Sequence, residues 1–212
     1  SLDNYLAMIS GQAPNPVTQS DCQKFVEFVQ TGTGADGQVL GSGCVYPAGV
    51  RTLANQLDDK GLSWKGYMED MGNLPLREKA TCGHPAIGRP DGTQSAVVGD
   101  QYATRHNPFM YFHAIIDQPS CDRHVVNLTA LKDDLKSVET TPNYAFITPN
   151  LCHDGHDGAT DERKGRKCVD GEPGGLVSAD LFLKDTIPTI LASPAFKEDG
   201  LLIVTFDEAD LA

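Results

Sequence analysis

Three features are scarce or absent in this sequence of 212 residues, and each one excludes a class of protein. No apolar run approaches the roughly 18–20 residues that a membrane span needs, so we predict no transmembrane segment. Lysine and arginine number 17 against 29 aspartate and glutamate residues, which gives a formal net charge of −12. Because nucleic-acid backbones are bound by excess positive charge, we predict no nucleic-acid partner. No cysteines have the Cys-x-x-Cys spacing, so neither a zinc ribbon nor a thioredoxin-type site is supported.

The six cysteines that are present lie in polar, glycine-rich segments, which favours disulfide bonds in an exported protein. Many connectivities are open, and sequential pairing is the simplest: Cys22 with Cys44, Cys82 with Cys121, and Cys152 with Cys168. Asn127 begins "NLT", a sequon for an N-linked glycan. The sequence therefore predicts a secreted, extracellular protein with disulfide bonds and a glycan at Asn127.

We expect residues 1–212 to form a single domain that is incomplete at both ends. The sequence starts at Ser1 with neither an initiator methionine nor a signal segment, although export normally requires a segment that is removed on maturation. It ends shortly after Glu208, at the end of a predicted strand. The stretch therefore has the features of a piece of a longer mature chain.

Apolar periodicity, capping residues and a closing glycine predict helices over residues 2–9, 20–30, 50–61, 129–138 and 178–193. Short apolar runs predict strands over residues 62–68, 143–148 and 200–208, with loops over 31–43 and 70–108. The last two strands are continuous apolar runs, which is typical of strands buried on both faces. Their alternation with helices indicates an α/β fold with a parallel sheet.

Polar segments follow the last two predicted strands. "PNLCHDGHDG" (149–158) follows one strand, and Asp207 and Glu208 end the other. Because sites in open parallel sheets lie beyond the carboxyl ends of the strands, we expect both segments at one sheet edge. The paired carboxylates suit a divalent metal ion, or else they end a strand in solvent. The histidines of "HDGHD" suit metal binding or acid catalysis, or else they cap a polar turn.

Two other positions are candidates for chemistry. His106 and Asn107 precede Pro108 and are placed to face a ligand. Ser1 precedes the first predicted helix, where the helix dipole and free N–H groups stabilise an anion or a phosphorylated intermediate. A serine at this position is more often a simple N-cap.

Six blocks in order along nearly the whole chain resemble the secreted phosphoesterase family. That family contains bacterial and fungal acid phosphatases and phosphocholine-type phospholipases C, and it is related to the alkaline phosphatase superfamily. The blocks are "SLDNYLAMISGQ", "YPAGVRTLANQLDDKGLSWKGYMEDMG", "HNPFMYFHAI", "FITPNLCHDGHD", "DLFLKDTIPTIL" and "LLIVTFDEAD". The resemblance implies a three-layer α/β/α sandwich with a mainly parallel central sheet, of the alkaline-phosphatase-like kind. It also implies a phosphoryl-enzyme mechanism.

The resemblance also implies roles for individual residues. "SLDNY" is similar to the family segment that carries the nucleophile, which makes Ser1 the candidate, although Asp3 stands where proline is common. His156 or His106 would protonate the leaving alcohol. The implied contacts to the substrate are Asn4, Asn107, His153 and Asp154.

A divalent metal ion, Ca, Mg or Zn, is implied as the cofactor. Asp207 and Glu208 resemble the downstream ligand pair of the family, and Asp157 of "HDGHD" is a further ligand. Whether Asp154, His156 or Asp157 binds metal or phosphate stays open. The substrate would be a small-molecule or lipid phosphoester.

Two departures from the family pattern bear on this expectation. The family has a Glu-Asn pair upstream of the nucleophile and a histidine-bearing block after the "DE" strand, and this sequence contains neither. Three hypotheses follow: a phosphomonoesterase, a phospholipase C-type phosphodiesterase, and a non-catalytic secreted binding protein on a degenerate phosphoesterase scaffold.

Overall fold

The computed structural model describes residues 1–156 and 167–208. Within these ranges the α-helices are α1 (Leu2–Ser10), α2 (Pro16–Gln19), α3 (Leu53–Asp59), α4 (His113–Ile116), α5 (Cys121–His124), α6 (Leu131–Asp134), α7 (Gly175–Ala192) and α8 (Pro194–Asp199). The strands are β1 (Lys24–Phe25), β2 (Val29–Thr33), β3 (Val39–Ser42), β4 (Trp64–Met68), β5 (Arg89–Pro90), β6 (Val125–Asn127) and β7 (Tyr144–Thr148).

The sheet that positions the candidate site has three parallel strands in the order β6–β4–β7. All five residues of β4 pair with β7, from Trp64 opposite Tyr144 to Met68 opposite Thr148. These pairings confirm the predicted strands 62–68 and 143–148 and a mixed α/β structure with a parallel sheet. One expectation is wrong: β7 is only partly buried along most of its length, so it is not covered on both faces.

A glycine in the central strand lets an aromatic cluster pack directly against the sheet. A Cβ atom at Gly66 would lie 2.7 Å from Cε2 of Phe109, closer than a real Cβ contact allows. Phe109 also meets Phe146 of β7 edge to face, with ring centroids 5.6 Å apart. The cluster ties the end of the long loop, which carries His106, to the sheet.

Helix α1 forms as the sequence predicts, and it supports Ser1. Leu2, Leu6 and Ile9 recur at helical spacing and are all buried, so one face of the helix packs into the core. Gly11 ends the helix in the left-handed conformation, with φ of 69°. Because this face is anchored, the N-terminus of α1 holds the Ser1 side chain at a fixed place beside the sheet.

The predicted helix over residues 20–30 and the predicted loop over 31–43 are both wrong. Asp21 and Cys22 have positive φ angles, which a helix does not allow, and the chain then enters β1. Strands β2 and β3 pair as an antiparallel hairpin. The apolar residues between 25 and 29 fit helical and strand spacing about equally well. The turn at Cys22 excludes the helix, so this stretch enters strands.

The predicted strand over residues 200–208 does not form in the described structure, where residues 201–206 have no strand partner. Leu201, Ile203 and Phe206 are largely exposed, so burial on both faces is also wrong here. A strand requires a neighbouring strand to accept its backbone hydrogen bonds, and apolar composition alone does not supply one.

The other predicted helices form with changed boundaries. The helix predicted over 50–61 is α3, which begins after the N-cap Thr52 and ends before Lys60. The helix predicted over 129–138 shortens to a 3₁₀ turn followed by α6. The helix predicted over 178–193 starts earlier, as α7, and continues through Pro188.

None of the helices in residues 1–156 and 167–208 combines the length and apolar character that a membrane crossing demands.

The three disulfide bonds join the cysteines in sequential order, which confirms the simplest pairing. Cys152 and Cys168 have Cα atoms 5.7 Å apart. This bond ties the turn after β7 to the segment that leads into α7, so the turn is covalently fixed on one side of the candidate site.

Candidate active site

The Ser1 hydroxyl lies at the N-terminus of α1 and faces a carboxylate from the far end of the chain. Ser1 Oγ donates a hydrogen bond of 3.1 Å to Oε1 of Glu208, and Asn4 Nδ2 lies 3.5 Å from Oε2 of the same carboxylate. The hydroxyl makes no capping bond to the backbone of α1. Since the helix does not use this hydroxyl, it is available for chemistry.

A second carboxylate and a guanidinium flank Ser1 on the other side. Oδ1 of Asp21 lies 3.2 Å from the Ser1 nitrogen and accepts a 2.9 Å hydrogen bond from the Leu2 N–H. Its Oδ2 lies 3.9 Å from Nε of Arg105. Burial opposes ionisation of the Asp21 carboxyl, whereas the Leu2 N–H and the positive charge of Arg105 favour it.

Tyr5 stands one helical turn after Ser1 and connects the two predicted polar segments. Its ring stacks on His106 with centroids 5.2 Å apart. Burial, then the negative charges of Asp207 and Asp154, raise the pKa of Tyr5 above its ordinary value. The two carboxylates therefore lie close to one tyrosine, although Asp207 does not end a sheet strand, because the strand predicted over 200–208 does not form.

His106 is a buried histidine beside this group. Its Nδ1 lies 3.7 Å from Oδ2 of Asp154. Burial, and then the positive charge of Arg105, lower the pKa of His106 to about 3. The His106 imidazole is therefore neutral across the physiological range, which makes it a weak candidate for donating a proton to a leaving group.

Asp207 supplies a carboxylate that is half withdrawn from solvent. Its Oδ2 atom is buried and has no hydrogen-bond partner within the described residues. Burial, followed by the charge of Glu208, raises the pKa of Asp207 above its ordinary value. A buried carboxylate oxygen without a donor is costly unless a cation or proton compensates it. Asp207 and Glu208 therefore have the donor chemistry that a divalent cation prefers.

The turn after β7 is built on Asn150. Its Oδ1 accepts the backbone N–H groups of Cys152 and His153 at 2.9 and 3.1 Å, and its Nδ2 donates to Asp70 and Gln101. Further along, Oδ1 of Asp154 accepts the N–H of His156 at 2.8 Å. The His156 side chain is exposed at the end of this turn.

Two residues predicted to contact the substrate are engaged elsewhere. The ring nitrogens of His153 both lie 2.9 Å from carboxylate oxygens, Nδ1 from Glu69 and Nε2 from Glu172. The Asn107 side chain is fully buried, and its Nδ2 donates to the Tyr102 hydroxyl at 2.9 Å. Both ring nitrogens of His153 are thus engaged, whereas Oδ1 of Asn107 is buried without a hydrogen-bond partner among the described residues.

The remaining predicted metal ligand, Asp157, lies outside the described residues. Within those residues, the group of ligand-type side chains that lies close enough to hold an ion consists of Cys152, Cys168 and Asp170. The disulfide bond occupies both sulfurs, so this group is not a metal site.

Three residues beside Ser1 escaped the sequence-based prediction. Tyr5 lies four residues after Ser1, so helical spacing could have placed it on the same face of the predicted helix as Ser1. Arg105 directly precedes His106, which the sequence did select. A positive charge next to a predicted group of carboxylates was therefore a signal for Arg105. Asp21 had no usable signal, since it reaches Ser1 only through the turn that replaces the predicted second helix.

The side chain of Asn127, the residue predicted to carry a glycan, makes two hydrogen bonds within the fold. Nδ2, the atom that would carry the sugar, donates a 2.8 Å hydrogen bond to the carbonyl of Met71, and Oδ1 accepts the Thr129 N–H. We expect the folded protein to carry no glycan here, so an enzyme that removes N-glycans should leave its mass unchanged. A mass loss that disappears in Asn127→Gln would contradict this prediction, because "NLT" is the single sequon of the sequence.

Comparison with known proteins places this geometry in context. The model of the family described as Phosphoesterase matches residues 1–211. A "Phosphate-repressible acid phosphatase" of Penicillium chrysogenum is 29% identical over 164 residues, which cover 77% of this chain and 32% of that protein. An "Acid phosphatase" of Aspergillus fumigatus is 31% identical over 163 residues, or 76% of this chain and 30% of that protein. The chain thus spans about a third of the length of these relatives.

Proposed function

Because this chain belongs to the phosphoesterase family, we propose that the protein hydrolyses phosphate monoesters through a phosphoserine formed at Ser1. The observation that carries the proposal is the Ser1 hydroxyl at a helix N-terminus, hydrogen-bonded to Glu208 and close to Asp21 and Asp207. A serine becomes an effective nucleophile when an adjacent group accepts its proton, and Glu208 is positioned for this.

We infer that residues 1–212 belong to one three-layer α/β/α sandwich of the alkaline-phosphatase type. The parallel order β6–β4–β7 and the family match over residues 1–211 support this inference. The three disulfide bonds support a protein that works outside the cell, where such bonds persist.

The proposed first step is attack of Ser1 Oγ on the phosphorus of the ester. As the Oγ–P bond forms, the serine proton passes to Glu208, and the bond from phosphorus to the ester oxygen breaks. His156 donates a proton to the departing alcohol. The positive end of the α1 dipole stabilises the charge that develops on the phosphoryl oxygens.

The proposed second step releases phosphate. A water molecule attacks phosphoserine at Ser1, His156 takes up the water proton, and Ser1 Oγ leaves as its bond to phosphorus breaks. Glu208 returns the proton to Ser1, so the enzyme regains its starting state. His156 is preferred to His106 as the acid and base because it is exposed at the turn, whereas His106 is buried and neutral.

Asp207, the Glu208 oxygen that does not accept the serine proton, and Asp157 would together hold a divalent cation. The buried Oδ2 of Asp207 and the neighbouring carboxylate of Glu208 are the observations that favour such an ion. Oxygen ligands suit Ca or Mg, and Zn also accepts them. When bound, the ion supplies Lewis-acid polarisation of the phosphoryl group.

Substrate preference tests this proposal. We expect kcat/KM for an aryl phosphate monoester to exceed that for an aryl phosphocholine diester by about tenfold or more, or about 1.4 kcal/mol. The measurement compares initial rates of the two substrates with the same purified protein. A higher value for the diester would replace the proposal with a phospholipase C-type activity. Binding of both compounds without turnover would favour a binding protein.

A further inference from the structure

A histidine held between two carboxylates lies one residue before Asp154. Nδ1 of His153 lies 2.9 Å from both carboxylate oxygens of Glu69, and Nε2 lies 2.9 Å from Oε2 of Glu172. An imidazole that donates from both nitrogens carries a positive charge. The three side chains therefore form a chain of two charge-assisted hydrogen bonds, which are stronger than neutral ones. We call Glu69, His153 and Glu172 the clamp.

The first carboxylate of the clamp is built into the sheet. Glu69 directly follows β4, and its N–H donates to the carbonyl of Thr148, the last residue of β7, at 3.0 Å. Its side chain is largely buried, and Oε2 also accepts the Asn150 N–H at 2.8 Å. One carboxylate on a rigid strand end thus holds both the start of the turn and the His153 ring.

The second carboxylate comes from the segment that the disulfide ties to the turn. Cys168 is bonded to Cys152, and its N–H donates to the Glu172 carbonyl at 2.9 Å. The His153 ring also lies against Phe182 of α7, with centroids 5.8 Å apart. The clamp therefore joins β4, the turn after β7 and the start of α7 at a single imidazole.

We propose that Glu69 and Glu172 are positioning residues. By holding the His153 ring, they fix the positions of Asp154 and His156 at the candidate active site. The inference rests on the proposed function of that site. His153 is adjacent to Asp154, whose carboxylate lies 3.7 Å from His106, so a shift of the His153 backbone moves both groups of the turn. The role differs from the direct substrate contact that the sequence predicted for His153.

Glu69→Gln tests the proposal with small disturbance to the turn. Glutamine keeps an oxygen for the Asn150 N–H, but it removes the charge that holds the imidazolium. Because small misplacements of catalytic groups cost up to about a hundredfold, we expect kcat on the monoester to fall about ten- to a hundredfold, with KM within about twofold. Glu198→Gln, at an exposed site of α8, is the matched control and should retain wild-type kcat.

Glu172→Gln tests whether the loss of kcat depends on how deeply each carboxylate is buried. Glu172 is 45% exposed, whereas Glu69 is 18% exposed, so solvent weakens its hydrogen bond to His153. We expect a decrease in kcat that is smaller than that of Glu69→Gln. Wild-type kcat in Glu69→Gln, or a change in KM alone, would overturn the proposal.

Two measurements test the clamp without relying on turnover. Nitrogen NMR at pH 7 should show N–H protons on both ring nitrogens of His153 in the wild type and on one nitrogen in Glu69→Gln. Amide exchange of His156, whose N–H is bonded to Asp154, should accelerate in Glu69→Gln and stay unchanged in Glu198→Gln. A neutral His153 in the wild type, or unaltered exchange, would overturn the clamp. If the wild type lacks phosphatase activity but shows both signatures, the proposed function fails and the positioning of the turn stands.

Discussion

Ser1→Ala should abolish turnover of an aryl phosphate, with kcat at or below about a thousandth of the wild-type value. The substitution removes the oxygen that forms the bond to phosphorus, and no hydroxyl among the other side chains described here makes the same contact with Glu208. Rates should be measured with enzyme concentrations high enough to detect residual turnover. An acid-quenched reaction should show phosphate on the Ser1 peptide of the wild type and none in the variant.

The structure indicates that this loss would reflect chemistry and not unfolding. Ser1 makes no side-chain capping bond to α1, and the helix is anchored by buried Leu2 and Leu6. Unfolding by heat should therefore give nearly the same midpoint for Ser1→Ala and wild type. Ser95→Ala, at an exposed site in the long loop, is the control and should keep full activity. Undiminished turnover in Ser1→Ala would remove Ser1 from the mechanism.

The parts of the fold that the sequence predicted correctly are those in which local pattern and tertiary packing agree. Helix α1 combines helical spacing with a closing glycine, and β4 and β7 are apolar runs that find each other in the sheet. Residues 20–30 show the opposite situation. Their apolar spacing suits a helix, but the positive φ of Cys22 and its bond to Cys44 impose a turn that no local pattern reveals.

The residues of the candidate site were predictable only in part. Ser1 was selected as the start of a helix that forms, whereas Glu208 was selected as the end of a strand that does not form, yet the structure brings their side chains to 3.1 Å. The same rule applied to β4 would have identified Glu69. Ring contacts and paired carboxylates depend on the packing of distant segments, so the sequence could not show that His153 is held between Glu69 and Glu172.

Asp207→Asn should lower the metal content and the activity of the protein together. Asparagine has nearly the same shape as aspartate, but it lacks the negative charge, so the proposed ion loses a ligand and part of its electrostatic attraction. Because the site is only partly buried, we expect the loss of this ligand charge to lower metal affinity by about tenfold or more, which corresponds to about 1.4 kcal/mol.

Elemental analysis of the purified protein, followed by titration with Ca, Mg and Zn, measures this effect independently of turnover. Thermal unfolding should show stabilisation of the wild type by the preferred ion and much less stabilisation of Asp207→Asn, because an ion that binds only the folded state raises its stability. Asp199→Asn, an exposed residue at the end of α8, should behave as wild type. Unchanged metal occupancy in Asp207→Asn would show that Asp207 is not a ligand. The buried Oδ2 would then require a proton, which is consistent with the raised pKa of its carboxyl.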